Sequence, residues 1–381
     1  MTPRKRILIV SFSPIASDPR VLRQINELQG PYDVTVAGFG QFKQDDVTYI
    51  ELPQERRNLY EKFRAAQRLT TSSFSSYEAH LEVSKATRSL GSTGSYDLYI
   101  ANDVQCLPSV LDLAHGAPVI LDAHEYSLDM SGPPGLRGVL MARYHQWLCE
   151  TFIPQAQTVI TVSEPIARAY SKHLGITQPI VIPNAPPFED LQPSPVTADR
   201  IRLVHHGVVG PARGIDILIQ AFLQLPENYE LHLYLVTDSE TLQGLKNLCG
   251  SCDRITFHRP IPTRQIAQQI NQYDVFVFAA QPTCFSDEFA LPNKFFESVQ
   301  ARLAQFTTPM PAIKDAIETH GLGQTSDSFD ADSFAKGLLE LTVEQIRYSK
   351  ESSAIAAALL SWEQYVQSFR QTVLQAFEGA S

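Results

Sequence analysis

The 381-residue sequence predicts an α/β protein with two Rossmann-like domains, each built on a parallel sheet, that face each other across a cleft. Three observations support this fold class. Short apolar runs alternate with helical patterns in the first half, a proline-rich stretch follows at residues 183–200, and the alternation then resumes. Such alternation is typical of parallel sheets with right-handed crossovers. Ligands of these sheets bind in the crevice at the carboxyl ends of the strands.

Apolar periodicity predicts the individual elements. The predicted strands of the first half are Ile7–Val10, Asp33–Gly38, Leu98–Ala101, Val119–Asp122, Thr158–Val162 and Ile180–Ile182, and its helices include Pro19–Leu28, Leu107–Ala114 and Pro165–His173. The stretch from Pro183 to Arg200 contains five prolines and is predicted to be a linker. The second half has predicted strands at Arg202–Val204, Glu230–Leu235, Arg254–His258 and Val275–Phe278, and helices at Gly214–Leu223, Glu240–Leu248, Thr263–Tyr273 and Pro292–Leu303.

The composition excludes several classes of protein. With 44% hydrophobic and 19% charged residues the chain is globular, and its net charge of −10 argues against a nucleic-acid binder with a basic surface. The apolar run Ile7 to Phe12 is too short for a signal peptide, and no stretch approaches the ~20 apolar residues that span a bilayer. Five scattered cysteines fit a reducing compartment, so we expect a cytoplasmic protein. Cys249 and Cys252 form a CxxC pair without a second ligand pair, so we assign them no metal.

The segment FALPNKFFESVQARL, residues 289–303, contains the first candidate site. Pro292 suits the first turn of a helix, and apolar residues recur after it at helical spacing. Lys294 lies in this first turn, where the helix dipole disfavours a cation, and its placement suggests that an anion binds there. Glu297 shares a helix face with Lys294. The alternative is a surface lysine and a solvated glutamate.

A glycine-rich turn, HHGVVGPARG at residues 205–214, joins a predicted strand to a predicted helix. Gly207 and Gly214 let backbone N–H groups approach an anion, and Arg213 can bind that anion with its planar fork. A single glycine-rich loop is weak support for phosphate binding. Two cationic helix starts in one domain, at Arg213 and Lys294, favour a diphosphate.

A third candidate site follows the strand Val119–Asp122, where His124 and Glu125 lie at a carboxyl end. The alternative is a buried structural histidine. The pair Asp330 and Asp332 imitates an Asp-x-Asp metal motif, but it looks like a helix cap, with Asp332 preceding the helix, and we predict no metal site.

A basic amphipathic segment lies at residues 56–69. Such a segment can bind an anionic membrane surface, or it can be a solvated helix face. Its members are the cations Arg56, Arg57, Lys62, Arg64 and Arg68 and the apolar residues Leu59, Tyr60, Phe63 and Leu69.

Taken in order, these segments resemble the retaining GT-B glycosyltransferases of family 4. The resemblance covers nearly the whole chain, and the motifs occur in the family order with the family spacing. They are SDPRVLRQINELQ (residues 17–29), VILDAHEYS (119–127), TVSEPIARAY (161–170), VIPNAPP (181–187), HHGVVGPARGIDILIQAF (205–222), ALPNKFFESVQARL (290–303) and SWEQYVQSF (361–369).

The resemblance implies a role for each domain. Residues 1–187 are expected to bind the acceptor and residues 188–360 the nucleotide sugar, while residues 361–381 form a last helix that crosses back to the N-terminal domain. It also implies that Glu297 holds the ribose hydroxyls and that Arg213 and Lys294 hold the diphosphate. Gly207, Gly214 and Asn293 complete the predicted donor site.

The resemblance places His124 near the transferred sugar, and we assign Glu125 and Glu288 to the catalytic group with it. Two positions depart from the family pattern. Val208 replaces the arginine that usually follows the loop glycine, so Lys294 is the candidate for the missing phosphate cation. The first acid of the usual Glu-x7-Glu pair falls on Phe289, and Asp287 and Glu288 are the nearest acids.

The leading hypothesis is therefore a metal-independent, retaining transferase with a UDP- or GDP-sugar donor and a glycan or lipid-linked acceptor. A sugar-nucleotide epimerase of the same fold, or a non-catalytic nucleotide- or carbohydrate-binding protein, are the alternatives. The basic segment favours a peripheral enzyme at the inner face of the membrane over a soluble epimerase. We expect no nucleic-acid partner.

Overall fold

The computed structural model describes residues 4–129 and 135–379, and the chain divides into two compact units. The first unit comprises Met1–Pro183 and Val366–Ser381, and the second comprises Asn184–Tyr365. Each unit is built on one parallel β-sheet with helices connecting the strands. The predicted pair of Rossmann-like domains is confirmed.

The first unit contains a seven-stranded sheet in the order β3-β2-β1-β4-β5-β6-β7. Its strands are β1 (Arg6–Pro14), β2 (Asp33–Phe39), β3 (Val47–Glu51), β4 (Leu98–Asn102), β5 (Val119–Asp122), β6 (Thr158–Thr161) and β7 (Ile180–Val181). Its helices are α1 (Pro19–Leu28), α2 (Leu59–Thr70), α3 (Phe74–Ala79), α4 (Glu82–Ser89), α5 (Leu107–Ala114), α6 (Leu136–Phe152) and α7 (Glu164–Leu174).

The central strands of this sheet are buried on both faces, as covered parallel sheets require. Residues 7–10 of β1 and 98–102 of β4 are all buried. Helix α1 begins where the sequence indicates, because Asp18 accepts hydrogen bonds from the backbone N–H groups of Arg20 and Val21 at 3.1 and 3.2 Å. Helix α7 also begins after a capping residue, because the side chain of Ser163 accepts a hydrogen bond from the backbone N–H of Ile166.

The second unit contains a six-stranded sheet in the order β10-β9-β8-β11-β12-β13. Its strands are β8 (Ile201–Val208), β9 (Tyr229–Val236), β10 (Ile255–His258), β11 (Val275–Phe278), β12 (Ala304–Thr307) and β13 (Gly323–Thr325). Its helices are α8 (Ile215–Phe222), α9 (Ser239–Cys249), α10 (Ile266–Ile270), α11 (Phe285–Phe289), α12 (Asn293–Gln300), α13 (Pro311–His320), α14 (Ala331–Glu340) and α15 (Val343–Leu359), and α16 (Trp362–Glu378) begins in this unit and ends in the first.

Three predicted elements of the second unit have bounds that differ from the structure by three residues or more. The helix predicted for Pro292–Leu303 is α12, which ends at Gln300. The strand predicted to end at Val204 continues to Val208, because the polar pair His205 and His206 is buried within it. The helix predicted for Thr263–Tyr273 is a 3-10 turn followed by the short α10, which ends at Ile270. The linker stretch contains no helix or named strand between residues 182 and 200.

Candidate active site

The donor-binding residues predicted in the second unit lie around the carboxyl ends of β8 and β11, which are neighbours in the sheet. The sheet continues beyond β8 with β9 and β10, and beyond β11 with β12 and β13. Open α/β sheets bind ligands at such a topological switch point. Gly207 lies near the end of β8, and Gly214 immediately precedes α8.

Both glycines are required by the local geometry. Gly207 has φ +115° and Gly214 has φ +57°, a region that side chains rarely adopt. A Cβ atom on Gly207 would lie 3.2 Å from Nζ of Lys294, and one on Gly214 would lie 1.8 Å from the carbonyl oxygen of Ala279. Gly207 therefore keeps the space beside the lysine open, and Gly214 lets the loop contact the end of β11.

Lys294 lies in the first turn of α12 and is only 7% exposed. Its Nζ lies 4.7 Å from the centre of the Phe278 ring and has no hydrogen-bond partner among the described residues. Burial, and then the charge of Arg213, lower the pKa of Lys294 to about 7, although Glu297 opposes them. A buried cation without a partner is costly, so this ammonium is placed to bind an anion.

Further polar atoms around Lys294 are buried and unpartnered among the described residues, namely Asn293 Oδ1, His205 Nε2 and His206 Nε2. Nδ1 of His205 donates to the carbonyl oxygen of Val277 at 2.8 Å, which leaves Nε2 as an acceptor. Burial, and then the Lys294 ammonium, lower the pKa of His206 to about 3. Its imidazole is therefore neutral at pH 7. Buried polar groups are rarely left unpaired, and their concentration here indicates a ligand site.

Glu297 lies one turn along α12 from Lys294, with its Oε2 3.7 Å from Nε2 of His206. Arg213 precedes Gly214, and no side chain of the described residues caps the N-terminus of α8 or α12. The structure thus brings together Gly207, Arg213, Lys294 and Glu297. Two cations and two helix N-termini can bind a diphosphate, and a nearby carboxylate can accept hydrogen bonds from hydroxyl groups.

The residues predicted in the first unit follow the carboxyl end of β5, which pairs with β4 in the sheet. His124 follows β5, and its Nε2 lies 3.2 Å from Oδ1 of Asn102 at the end of β4. The amide nitrogen of Asn102 donates to Oε1 of Gln24 at 3.0 Å, so its Oδ1 is an acceptor. His124 therefore carries a proton on Nε2, and Nδ1 remains for a substrate or for Asp103, whose Oδ2 is 3.7 Å away.

A buried polar network supports this histidine. Arg20 of α1 binds Asp122 through Nε–Oδ2 at 2.7 Å and Nη2–Oδ1 at 2.5 Å, and it also donates to the carbonyl oxygen of Ile182 at 2.8 Å. Gln24 donates to Asp122 Oδ2 at 2.6 Å. The carboxylate of Asp122 is thus occupied by the network, which favours a positioning role over that of a base.

Asp103 adopts φ +71°, which is uncommon outside glycine and often occurs at functional positions. Neither Asn102 nor Gln24 was predicted to belong to the site. The polar pair Asn102–Asp103 lies at the end of an apolar strand, as His124–Glu125 does. A search for polar residues at the carboxyl end of β4 would therefore have found Asn102.

The other two predicted catalytic acids are Glu125 and Glu288. Glu125 is exposed, and its carbonyl oxygen accepts a hydrogen bond from the Tyr170 hydroxyl at 2.6 Å. Glu288 is half-buried in α11, and no hydrogen bond or ion pair joins its carboxylate to another described residue. A catalytic role for either acid stays a prediction.

Within residues 4–129 and 135–379, no group of three or more His, Cys, Asp and Glu side chains is arranged to hold a metal ion. Asp330 is the N-cap of α14 and accepts from the backbone N–H of Ser333 at 2.9 Å. The cap is thus Asp330, and not Asp332 as predicted. None of the described helices has both the length and the apolar composition needed to cross a bilayer.

Two family profiles match the sequence. "Glycosyltransferase Family 4" matches residues 25–186, and "Glycosyl transferases group 1" matches residues 200–343. Together the two ranges cover most of the chain. The protein belongs to the family 4 glycosyltransferases. The predicted family is therefore confirmed, and the class of reaction is glycosyl transfer.

Solved structures similar to this glycosyltransferase share its GT-B fold. Sucrose-phosphate synthase from Thermosynechococcus elongatus has a TM-score of 0.72 at 15% identity and covers 99% of this chain and 100% of that chain. An α,α-trehalose 6-phosphate synthase from Burkholderia multivorans has a TM-score of 0.70 at 12% identity and covers both chains completely. HepE from Anabaena, in complex with UDP and glucose, has a TM-score of 0.67 at 16% identity and covers 97% of this chain and 100% of that chain. No curated protein sequence matches this glycosyltransferase.

Proposed function

We propose that this glycosyltransferase transfers a sugar from a UDP- or GDP-sugar to a glycan or lipid-linked acceptor, with retention of the anomeric configuration and without a metal ion. The observation that carries the proposal is the buried, unpartnered ammonium of Lys294 beside Gly207. HepE, which shares the fold, is in complex with UDP and glucose, and this supports a nucleoside diphosphate as the ligand.

In this proposal Lys294 and Arg213 bind the two phosphates and stabilise the charge that develops on the leaving group. Glu297 accepts hydrogen bonds from the ribose hydroxyls. The bond between the anomeric carbon and the diphosphate oxygen breaks, and the acceptor oxygen bonds to the same face of that carbon. The acceptor proton passes to the leaving diphosphate. His124, oriented by Asn102, positions the donor sugar.

A donor screen tests the proposed function. Purified protein is incubated with a panel of UDP- and GDP-sugars, and free nucleotide and sugar products are quantified. We expect nucleotide release with transfer or slow hydrolysis, and a product anomeric proton that NMR assigns to the donor configuration. Interconversion of the sugar nucleotide without release would favour the epimerase alternative, and an inverted product would overturn the proposed stereochemistry.

Turnover should be unchanged by excess EDTA, because Arg213, Lys294 and the helix N-termini supply the positive charge that a divalent cation supplies elsewhere. The measurement is the initial rate with the donor that the screen identifies. A rate that disappears with chelator and returns with Mn²⁺ or Mg²⁺ would show that the metal-free mechanism is wrong.

Glu297→Ala is expected to weaken binding of UDP or GDP by about 1–3 kcal/mol, the cost of leaving buried hydroxyl contacts unpaired. Isothermal titration calorimetry of the wild type and the variant measures this change. Glu318→Ala is the matched control, since Glu318 is an exposed acid on α13 of the same unit. Equal affinity of a folded Glu297→Ala variant and the wild type would remove the ribose assignment.

A further inference from the structure

Helix α2 of the first unit presents apolar side chains to solvent. Leu59, Tyr60 and Phe63 are 85%, 70% and 68% exposed. Ala65 and Leu69, by contrast, are buried and lie on another face of the same helix. A helix that packs on a globular unit normally buries its apolar stripe and exposes its polar face. In α2 the large apolar side chains are exposed to solvent, while the face that contains Ala65 and Leu69 is already packed on the unit. The exposed apolar face therefore indicates a binding surface for another molecule or a membrane.

Cations flank this apolar face. Lys62, Arg64 and Arg68 lie on α2, and Arg56 precedes it. The acid of the helix, Glu61, is used in the capping box, where its Oε2 accepts from the backbone N–H of Asn58 at 2.9 Å. The local charge is therefore positive on a chain whose net charge is −10. A positive patch on an acidic protein selects an anionic partner.

A cleft of about 310 Å³ adjoins the helix, and its lining contains five cations and three acids. The cations are Arg56, Arg57, Arg64, Arg68 and Lys85, and the acids are Glu55, Glu61 and Glu82. The carboxylate of Glu55, also in the lining, is engaged by Arg57 at 3.0 Å and by the backbone N–H of Glu82. The side chains of Arg56, Arg68 and Lys85 form no hydrogen bond or ion pair with any described residue. These three cations are available to an anionic group that enters the cleft.

We infer that α2 docks on an anionic phospholipid bilayer, with Leu59, Tyr60 and Phe63 in the interfacial layer and a lipid phosphate in the basic cleft. The pairing of aromatic and aliphatic residues with flanking arginines is what an interfacial helix requires. Anionic lipid headgroups attract basic residues placed next to the surface. Nucleic acid would use the cations but would leave Leu59 and Phe63 uncovered. The inference rests on the first unit alone and does not depend on the donor or stereochemistry proposed above.

Sedimentation with lipid vesicles tests the inference on the full chain. We expect binding to vesicles that contain phosphatidylglycerol, little binding to pure phosphatidylcholine, and weakening with salt because the attraction is screened. Leu59→Ser with Phe63→Ser should weaken binding about tenfold or more. Arg56→Gln with Arg68→Gln should weaken it about fivefold for each cation.

Two control variants show whether a loss of vesicle binding is specific to α2 and the basic cleft. Ile355→Ser with Leu359→Ser removes two exposed apolar residues of α15 in the second unit, and Lys314→Gln with Lys336→Gln removes two exposed cations there. Both double variants should bind vesicles like the wild type, and all four variants should show wild-type circular dichroism. The inference is overturned if the wild type ignores anionic vesicles, if the controls lose binding equally, or if only an acidic polypeptide such as polyglutamate binds.

Discussion

Lys294→Met is expected to abolish strong binding of nucleoside diphosphates while making the protein more stable. Truncating one partner of a buried, hydrogen-bonded charge pair costs about 2–5 kcal/mol of binding free energy. In the free protein the same ammonium is buried without a hydrogen-bond partner among the described residues. Replacing it with an apolar side chain of similar length should therefore raise the free energy of unfolding by about 1–3 kcal/mol. Calorimetry with UDP and GDP and chemical denaturation measure the two effects.

The pH dependence of this stability change has a definite sign. The pKa of Lys294 is lowered to about 7 in the folded protein, whereas the unfolded chain keeps the usual value of 10.5. Between these values the unfolded state binds the additional proton, so the contribution of Lys294 to the free energy of unfolding rises with pH. The advantage of the methionine variant should be largest below pH 7 and shrink toward pH 10. Binding of a diphosphate above pH 7 should take up a proton, which calorimetry in buffers of different ionisation enthalpy detects.

Lys350 offers a matched control. It is equally buried, and burial lowers its pKa to about 8, but its Nζ donates to Ser194 Oγ at 3.0 Å and to the carbonyl oxygen of Tyr273 at 2.5 Å. Lys350→Met should destabilise the protein, because it leaves those acceptors unpaired, and should not change nucleotide affinity. If Lys294→Met also destabilises the protein and binds UDP and GDP normally, Lys294 is structural and the donor site proposed here is wrong.

His124→Ala is expected to lower kcat by about 10²-fold or more while leaving affinity for the nucleoside diphosphate nearly unchanged. His124 belongs to the first unit, and the cluster that we assign to the diphosphate belongs to the second. Its contacts with the sugar matter mainly as the transition state forms, so the loss should appear in kcat. Steady-state kinetics with the donor from the screen, together with calorimetry, measure both quantities.

His173→Ala is the control for this variant, since His173 is an exposed histidine of α7 whose Nε2 lies 3.5 Å from Glu150. It should show wild-type turnover. Asn102→Ala should reduce kcat less than His124→Ala does, because it removes the hydrogen bond that orients the imidazole and keeps the imidazole itself. Turnover close to that of the wild type in His124→Ala would exclude His124 from the reaction.

The parts of the fold that the sequence predicted well are those where apolar residues recur regularly. Strands β4, β5 and β11 consist of buried residues, and periodicity located them within one residue of their bounds. Two strands of the second unit that contain buried polar residues were shortened or missed. β8 was cut before His205, whose Nδ1 donates to Val277, and β12 was missed, where buried Gln305 binds Ser298. The partner of His205 lies 72 positions along the chain, and the partner of Gln305 lies on helix α12, so a local strand pattern reveals neither hydrogen bond.

The residues of the candidate site were likewise predicted where they belong to a local sequence motif and missed where they do not. Arg213, Lys294 and Glu297 belong to continuous motifs with helix-start chemistry, so the sequence alone indicated them. Gln24 and Asn102 are 78 positions apart and meet only because α1 and β4 pack in one unit. No spacing rule connects such a pair. The hydrogen-bond network that orients His124 therefore could not be predicted from the sequence.

The two loop glycines limit how this enzyme can be altered by directed evolution. Residue 214 combines positive φ with a backbone oxygen that leaves no room for a side chain, and residue 207 combines positive φ with the close approach of the Lys294 side chain. A library randomised at both positions would therefore be expected to return glycine. Val208, the next residue along, is 62% exposed and sits where relatives are expected to carry arginine. Diversity placed there samples different side chains next to Gly207 without straining the backbone. The loop thus combines two positions restricted to glycine with one adaptable position, where a substitution changes the charge of the loop without straining its backbone.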